Sequence, residues 1–327
     1  MIKKNTSLHF FNSTRRTNLG MFFGSMVTSL FMKHKVNAQT QSQMDTKKMF
    51  QVPGRVSGTT PIAVRRNYLK GTYGQIHFRT SSPDTITNKR PLICLHMSPN
   101  SSRVYERFIG FMGTDRVCIA PDTPGFGESD APDKPPLIED YAAEFLKFID
   151  NLNFDSVDII GYHTGSETCI EMAHQRPDLI NSIAIISAPI FTQKERQEHR
   201  DQFAHVEPDA DGSFAVDKWV SVIKWRMEGW SLEHKAYQFN DALRNPDISW
   251  WGHRAAFEYE MEQKMIDNKK EVLVLNPEDD LVEYTKRAIG ISPLIKVLDL
   301  PGWNHGFLDV KPEETVSILR NHFDGEI

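Results

Sequence analysis

Gly161-Tyr162-His163-Thr164-Gly165 decides how the rest of this chain is read. The five residues have the spacing of the Gly-x-Ser-x-Gly turn, which holds a nucleophile at a sharp strand-to-helix corner, but histidine stands where the serine belongs. The flanking residues supply the corner. Ser156-Val157-Asp158-Ile159-Ile160 reads as a short buried strand, and Ser166 to His174 carries Cys169, Ile170 and Ala173 at helical spacing. The central residue of such a turn sits in left-handed backbone space, which histidine visits more readily than most side chains, and small neighbours let the turn close.

Outward from this corner, apolar strand-like runs alternate with helical ones, the pattern of a mainly parallel sheet covered on both faces. The candidate strands are Gly74 to Arg79, Pro91 to His96, Arg116 to Pro121, Ser156 to Tyr162, Ser182 to Ser187, Glu271 to Asn276 and Ile295 to Asp299. The candidate helices are Arg103 to Phe111, Glu139 to Leu152, Ser166 to His174, Val282 to Ile289 and Glu313 to His322. The alternation breaks once. From Ala188 to about Asp267 the chain is aromatic and charged, with Trp219, Trp225, Trp230, Trp250 and Trp251 in helix-compatible stretches such as Asp217 to Glu228. This segment reads as a helical cap inserted over the carboxyl ends of the strands, where open α/β sheets bind their ligands.

The first 38 residues differ from the rest, with six basic residues, no acidic one, and an uncharged run from Thr17 to Met32. That run is short for a bilayer span. Arg15-Arg16 just ahead of it, and Val36-Asn37-Ala38 after it, resemble a cleavable twin-arginine export signal. The implied location is periplasmic or secreted, with no stable membrane insertion once the signal is removed. The remaining chain would hold 32 basic against 43 acidic residues, a net charge of -11, which argues against nucleic acid as a partner. Cys94, Cys118 and Cys169 lie in apolar runs and are expected as buried thiols rather than a disulfide framework. The expected organisation is a signal at 1–38, a linker at 39–48, a first core part at 49–187, a cap at 188–267 and a second core part at 268–327.

Five motifs in order give the chain from about Tyr68 to Phe323 its resemblance to a known superfamily. His96-Met97-Ser98-Pro99 resembles a His-Gly-x-Pro loop, and Asp122 to Ser129, containing Gly125-Phe126-Gly127-Glu128-Ser129, resembles a Gly-x-Gly-x-Ser turn. The turn at His163 follows. Asn276-Pro277-Glu278-Asp279-Asp280 then matches an acid-bearing turn, and Pro301-Gly302-Trp303-Asn304-His305-Gly306-Phe307 matches a terminal histidine loop. Together they resemble the α/β-hydrolase superfamily, in its capped form with esterases, dehalogenases and epoxide hydrolases. The resemblance implies an eight-stranded, mainly parallel sheet with helices on both faces and an inserted helical cap. It implies a hydrolase acting on a small organic substrate such as an ester or another carbonyl compound.

The resemblance also makes Asp280 the acid, with Asp279 the runner-up, and His305 the general base. It puts the backbone N–H groups of Ser98 and Thr164 at the oxyanion hole, and His96, Met97 and Trp303 near the pocket. Met97 departs from the usual glycine of that loop and puts the shape of the hole in question. The structural alternatives are a surface-loop role for His305 and a helix cap for Asp280. The Gly125 and Gly127 turn lacks a third glycine and a following helix, so it reads as structural rather than dinucleotide-binding.

Three roles are open for His163. As a nucleophile deprotonated by His305 it would form an acyl-imidazole, although the ring reaches well beyond a serine hydroxyl and would crowd the oxyanion hole. It and His305 would otherwise act as an acid-base pair on water or substrate, in hydrolysis or a lyase-type cleavage. Or His163, His305 and Asp280 would ligate a metal, with His96 a possible fourth. No local metal motif such as His-Glu-x-x-His is present, so neither metal nor cofactor is expected. A non-catalytic protein binding a small ligand under the cap is the alternative from another class, against which stand the filled acid and base positions. Oligomeric state and substrate identity do not follow from the sequence.

Overall fold

Strand Val157–Tyr162 (β5) is buried along its whole length, which places it mid-sheet. A computed structural model describes residues 61–325 apart from 86 and 204, so the signal read at 1–38 and the linker at 39–48 lie outside the described residues. The other strands are Arg65–Lys70 (β1), Gln75–Ser81 (β2), Leu92–Leu95 (β3), Cys118–Pro121 (β4), Ile180–Ile186 (β6), Val272–Pro277 (β7) and Ile295–Leu300 (β8). They form one sheet in the order β1-β2-β4-β3-β5-β6-β7-β8. The β1-β2 and β2-β4 pairs are antiparallel and every other pair is parallel.

Seven of these strands match the apolar runs read from the sequence, within one or two residues at most ends. β1 does not. Its Arg-Arg-Asn-Tyr-Leu-Lys sequence alternates half-buried with exposed residues at the sheet edge, so it carries little of the apolar signal on which strand recognition rests. Two expected helices also break up. Arg103 to Phe111 is a 3-10 turn, Ser102–Tyr105, followed by helix Glu106–Met112, and Val282 to Ile289 is a single turn, Val282–Thr285, followed by a 3-10 turn, Lys286–Ala288.

Alternate residues of the central strands face opposite cores, as the two-residue period of a strand requires. Ile93, Leu95, Ile159 and Ile185 join Tyr141, Phe145 and Phe148 of helix Ile138–Asn151 and Ile170 of helix Thr164–Gln175. Leu92, Cys94, Ile160 and Ile186 join Phe108 of helix Glu106–Met112 and Leu319 and Phe323 of helix Pro312–Asp324. The three cysteines are buried and unpaired, as the apolar runs around them suggested. Among the described residues between β6 and β7 lie five helices: Gln193–Gln202, Ser213–Lys224, Leu232–Ala242, Trp251–Glu258 and Met261–Asp267. Among the described residues no helix is long and apolar enough to cross a membrane.

The chain leaves β3 towards one side of the sheet for β4 and reaches the other side at β5. The crevice between the carboxyl ends of β3 and β5 is therefore the topological switch point, the ligand position of open α/β sheets. His96 follows β3 there, and His163 follows β5.

Candidate active site

His163 sits between β5 and helix Thr164–Gln175 at φ 48° and ψ -115°, a strained conformation that its neighbours impose. Its N–H is held by the Ile186 carbonyl at the end of β6, at 3.0 Å. The flanking glycines are required by close approach. A Cβ on Gly161 would collide with the Gly165 backbone, and one on Gly165 with the Leu95 carbonyl. Ser166 does not supply a substitute nucleophile, because its buried hydroxyl donates to the Gly161 and Ile186 carbonyls.

The loops after β7 and β8 bring the other groups to the same place. Glu278 N–H donates to the Trp303 carbonyl and the Asn304 amide donates to the Glu278 carbonyl, each at 2.7 Å, lacing the acid loop to the histidine loop. His305 Nε2 lies 2.8 Å from Asp280 Oδ1, and His163 Nε2 lies 3.4 Å from Asp279 Oδ2. Each histidine thus has its own carboxylate, whereas the sequence offered Asp279 only as a substitute for Asp280. A third distance ties the pairs together, 4.0 Å from His163 Nε2 to Asp280 Oδ1. One ligand-type atom from each of the four side chains lies within 4.8 Å of the others.

The two carboxylates differ in environment. Asp279 is fully buried; the Ser187 hydroxyl donates to its Oδ2 and the Leu281 N–H to its Oδ1 at 2.9 Å. Burial, the largest single influence, pushes its pKa up, yet the hydrogen bond from His163 and the charges of both histidines hold it below the usual carboxylate range. Asp280 is 42 % exposed, and against the pull of its partial burial the His305 hydrogen bond and both histidine charges hold it well down. Burial lowers the pKa of His163, but the Asp279 hydrogen bond and both carboxylate charges outweigh it, so its net shift is upward.

Ser187 carried no signal in the sequence. It adopts φ 54° just beyond β6 and reaches an acid 92 residues away. The Tyr162 hydroxyl, 3.3 Å from His305 Nδ1, is a second unforeseen partner, and the Tyr162 ring stacks on His305 at 5.8 Å. His253 of cap helix Trp251–Glu258 is a third. Its ring stacks on Phe203, and burial, reinforced by the nearby charge of His163, lowers its pKa to about 4, keeping it neutral. A lone histidine among cap aromatics gives sequence reasoning nothing to single out.

Several residues read as site candidates do other work. The Ser98 N–H, expected in an oxyanion hole, donates to Thr164 Oγ1 at 2.9 Å, and the Thr164 hydroxyl donates to Ser98 Oγ at 3.2 Å. The threonine side chain itself thus takes up that donor. His96 is not a fourth ligand. Its Nδ1 is 2.9 Å from the Met97 carbonyl and its Nε2 accepts the Thr123 N–H at 2.9 Å, so both ring nitrogens are committed in a buried, neutral ring. Met97 is packed into the apolar cluster on one face of the sheet, and Trp303 packs on Phe307 at 5.2 Å. The Gly125 and Gly127 turn is structural: buried Asp122 accepts from His77 Nδ1 and from the Ser102 and Glu128 N–H groups, and Gly127 leaves room for its carboxylate.

The cap is built onto the histidine loop. Met227 N–H donates to the His305 carbonyl at 2.8 Å and His305 N–H to the Trp225 carbonyl at 3.1 Å, a short backbone bridge. Gly306 lies against the Trp230 ring, where any Cβ would collide. Trp230 Nε1 donates to Asp309 Oδ2 at 2.9 Å, and the Lys235 ammonium lies over the Trp230 ring at 4.8 Å. Burial raises the Asp309 pKa to about 7 despite the Trp230 bond. Folded chain therefore retains a proton that unfolded chain has lost between about pH 4 and pH 7, and stability falls as pH rises through that window. Asp309→Asn keeps an acceptor for Trp230 and removes the buried charge. We expect it to flatten this part of the profile and to gain on the order of 1 kcal/mol relative to the parent at pH 8. Melting temperatures across pH 4 to 8 check this; a slope equal to the parent's would contradict it.

Residues 90–249 match the family described as alpha/beta hydrolase fold. A haloalkane dehalogenase of Bradyrhizobium diazoefficiens is 26% identical over 127 residues, 38% of this chain and 40% of that protein. An epoxide hydrolase of Caballeronia sordidicola is 25% identical over 181 residues, 49% of this chain and 55% of that protein. The chain thus matches about half the length of these relatives or less. The solved enol-lactonase from Burkholderia xenovorans LB400 superposes with a TM-score of 0.66 at 14% identity, over 79% of this chain and 100% of that one. With its eight-stranded sheet, its crossover order and this matched segment, the chain has the α/β-hydrolase fold.

Proposed function

We propose that this protein is a hydrolase of small ester-like carbonyl compounds in which water attacks directly, with no covalent enzyme intermediate, at the cluster of His163, Asp279, Asp280 and His305. The observation that carries the reading is the pairing of each histidine with its own carboxylate, at 3.4 and 2.8 Å. A triad needs the base to present one nitrogen to the acid and the other to the nucleophile. Here His305 presents Nε2 to Asp280 and Nδ1 to the Tyr162 hydroxyl.

Two oriented His-Asp pairs suit proton transfer. As water adds to the carbonyl carbon, its proton passes to an imidazole. As the carbon-oxygen bond breaks, a proton passes to the departing alkoxide, leaving acid and alcohol. Haloalkanes and epoxides, suggested by the relatives' names, favour direct water attack too. Imidazole alkylated at nitrogen offers water no acyl carbon, so covalent capture by His163 would be a dead end. On the reading of the first 38 residues as an export signal, the enzyme works outside the cytoplasm.

The test is turnover of a panel of esters and lactones in ¹⁸O-water, followed by mass spectrometry of product and protein. The expected result is one ¹⁸O in the acid product from the first turnover and no adduct on the protein. A one-to-one acyl adduct at His163 that decays with turnover would replace this reading by nucleophilic catalysis.

A further inference from the structure

We propose that His163, Asp279, Asp280 and His305 bind one divalent first-row transition-metal ion, of the Zn²⁺ type, through the two Nε2 atoms and one oxygen of each carboxylate. The inference rests on the preceding reading of this cluster as the reaction centre, and puts the ion in place of the imidazoles, whose Nε2 atoms then hold it, as what activates the water. In a tetrahedral site with bonds of about 2.0–2.2 Å, neighbouring ligand atoms are about 3.4 Å apart. Here His305 to Asp280 is 2.8 Å, His163 to Asp279 is 3.4 Å and His163 to Asp280 is 4.0 Å. All four ligand atoms fall within 4.8 Å of one another. Two independent ion pairs would explain the shortest distance. They do not account for His163 Nε2 standing off from both carboxylates, at 3.4 and 4.0 Å, longer than a usual direct hydrogen bond and suited to a cation between them.

The outer partners fit the same purpose. Metal-bound histidines and carboxylates are held by a second ring of hydrogen bonds that fixes their orientation. Asp279 has the Ser187 hydroxyl on Oδ2 and the Leu281 N–H on Oδ1, and His305 has the Tyr162 hydroxyl at Nδ1. Two nitrogens and two oxygens are borderline donors that suit Zn²⁺ and its first-row neighbours better than Ca²⁺ or Mg²⁺, which favour all-oxygen sites. A water that displaced the exposed Asp280 carboxylate from such an ion would have its pKa lowered to about 7, which supplies hydroxide in place of the side-chain nucleophile that the His163 turn lacks. The proton released leaves with the alkoxide, and the ester divides into acid and alcohol.

Co²⁺ and Zn²⁺ titrations of the full chain test the site without reference to turnover. The expected result is one equivalent bound, with the visible absorption of four-coordinate Co²⁺, displaced by Zn²⁺. In His163→Ala and His305→Ala the affinity is expected to drop beyond the roughly 100-fold that loss of an outer partner costs, and in Ser187→Ala about 10-fold. Asp280→Asn, at the most exposed of the four, provides the same readout should an alanine variant not fold. Unchanged Co²⁺ affinity in the folded ligand variants overturns the proposal, as does full turnover by chelated, metal-free protein. That second result leaves the hydrolase reading intact. Tight, ligand-dependent metal binding without hydrolysis of any ester upholds the site and overturns the hydrolase reading.

Discussion

His163→Ala is expected to lower kcat on an ester substrate about 10³-fold, in line with the 10²- to 10⁴-fold that a positioned acid-base group contributes. KM is expected to change little, because the ring acts on the atoms that exchange protons rather than on the rest of the substrate. The fold should survive the substitution. Asp279 loses its imidazole but keeps the Ser187 hydroxyl and the Leu281 N–H, and without that partner its buried carboxyl can take a proton instead. His305→Ala is expected to cost a similar factor, and the double variant little more than either, since groups that act as a unit are lost together. Steady-state kinetics on one responsive ester, with melting curves as the folding control, check this. A folded His163→Ala enzyme with parental kcat would remove the residue from the mechanism.

Gly165→Ala is expected to damage stability severely. The added Cβ would be driven into the Leu95 carbonyl and would lie 3.0 Å from that of His96. Both obstacles are backbone, at the end of a buried central strand, so neither can swing aside as a side-chain tip would. The expected loss is about 3 kcal/mol, the upper part of the range for overpacking. In a chain of this size it corresponds to roughly 4–6 °C in melting temperature. Gly302→Ala provides the contrast, since its Cβ would meet nothing within 4 Å while φ is 76°. Only the left-handed backbone penalty of about 1–2 kcal/mol applies there. Thermal melts of both variants decide the matter, and a Gly165→Ala protein melting with the parent would show that helix Thr164–Gln175 can move away from β3.

The legible parts of this protein are those where a local requirement leaves a mark in nearby residues. Buried parallel strands appear as apolar runs because both faces are covered. The corner at His163 appears as paired glycines because neither Gly161 nor Gly165 has room for a Cβ. Arg65–Lys70 escaped because one side of a polar edge strand carries no such mark, and its place comes from pairing with Gln75–Ser81. The oxyanion expectation had a different weakness. It named backbone donors by motif order, but the Thr164 hydroxyl that takes up the Ser98 N–H lies 66 residues from it.

From its sequence alone this chain determines a series of buried strands and a glycine-flanked corner at His163, because periodicity and glycine act over a few residues, and its ordered motifs set an acid and a histidine after the last two strands by resemblance. Which carboxylate serves which histidine was decided only when the loops after β5, β7 and β8 met. His163 and Asp279 are 116 residues apart, and His305 and Asp280 25. A hydrogen bond depends on a few ångströms in space, and no spacing along the chain encodes that distance.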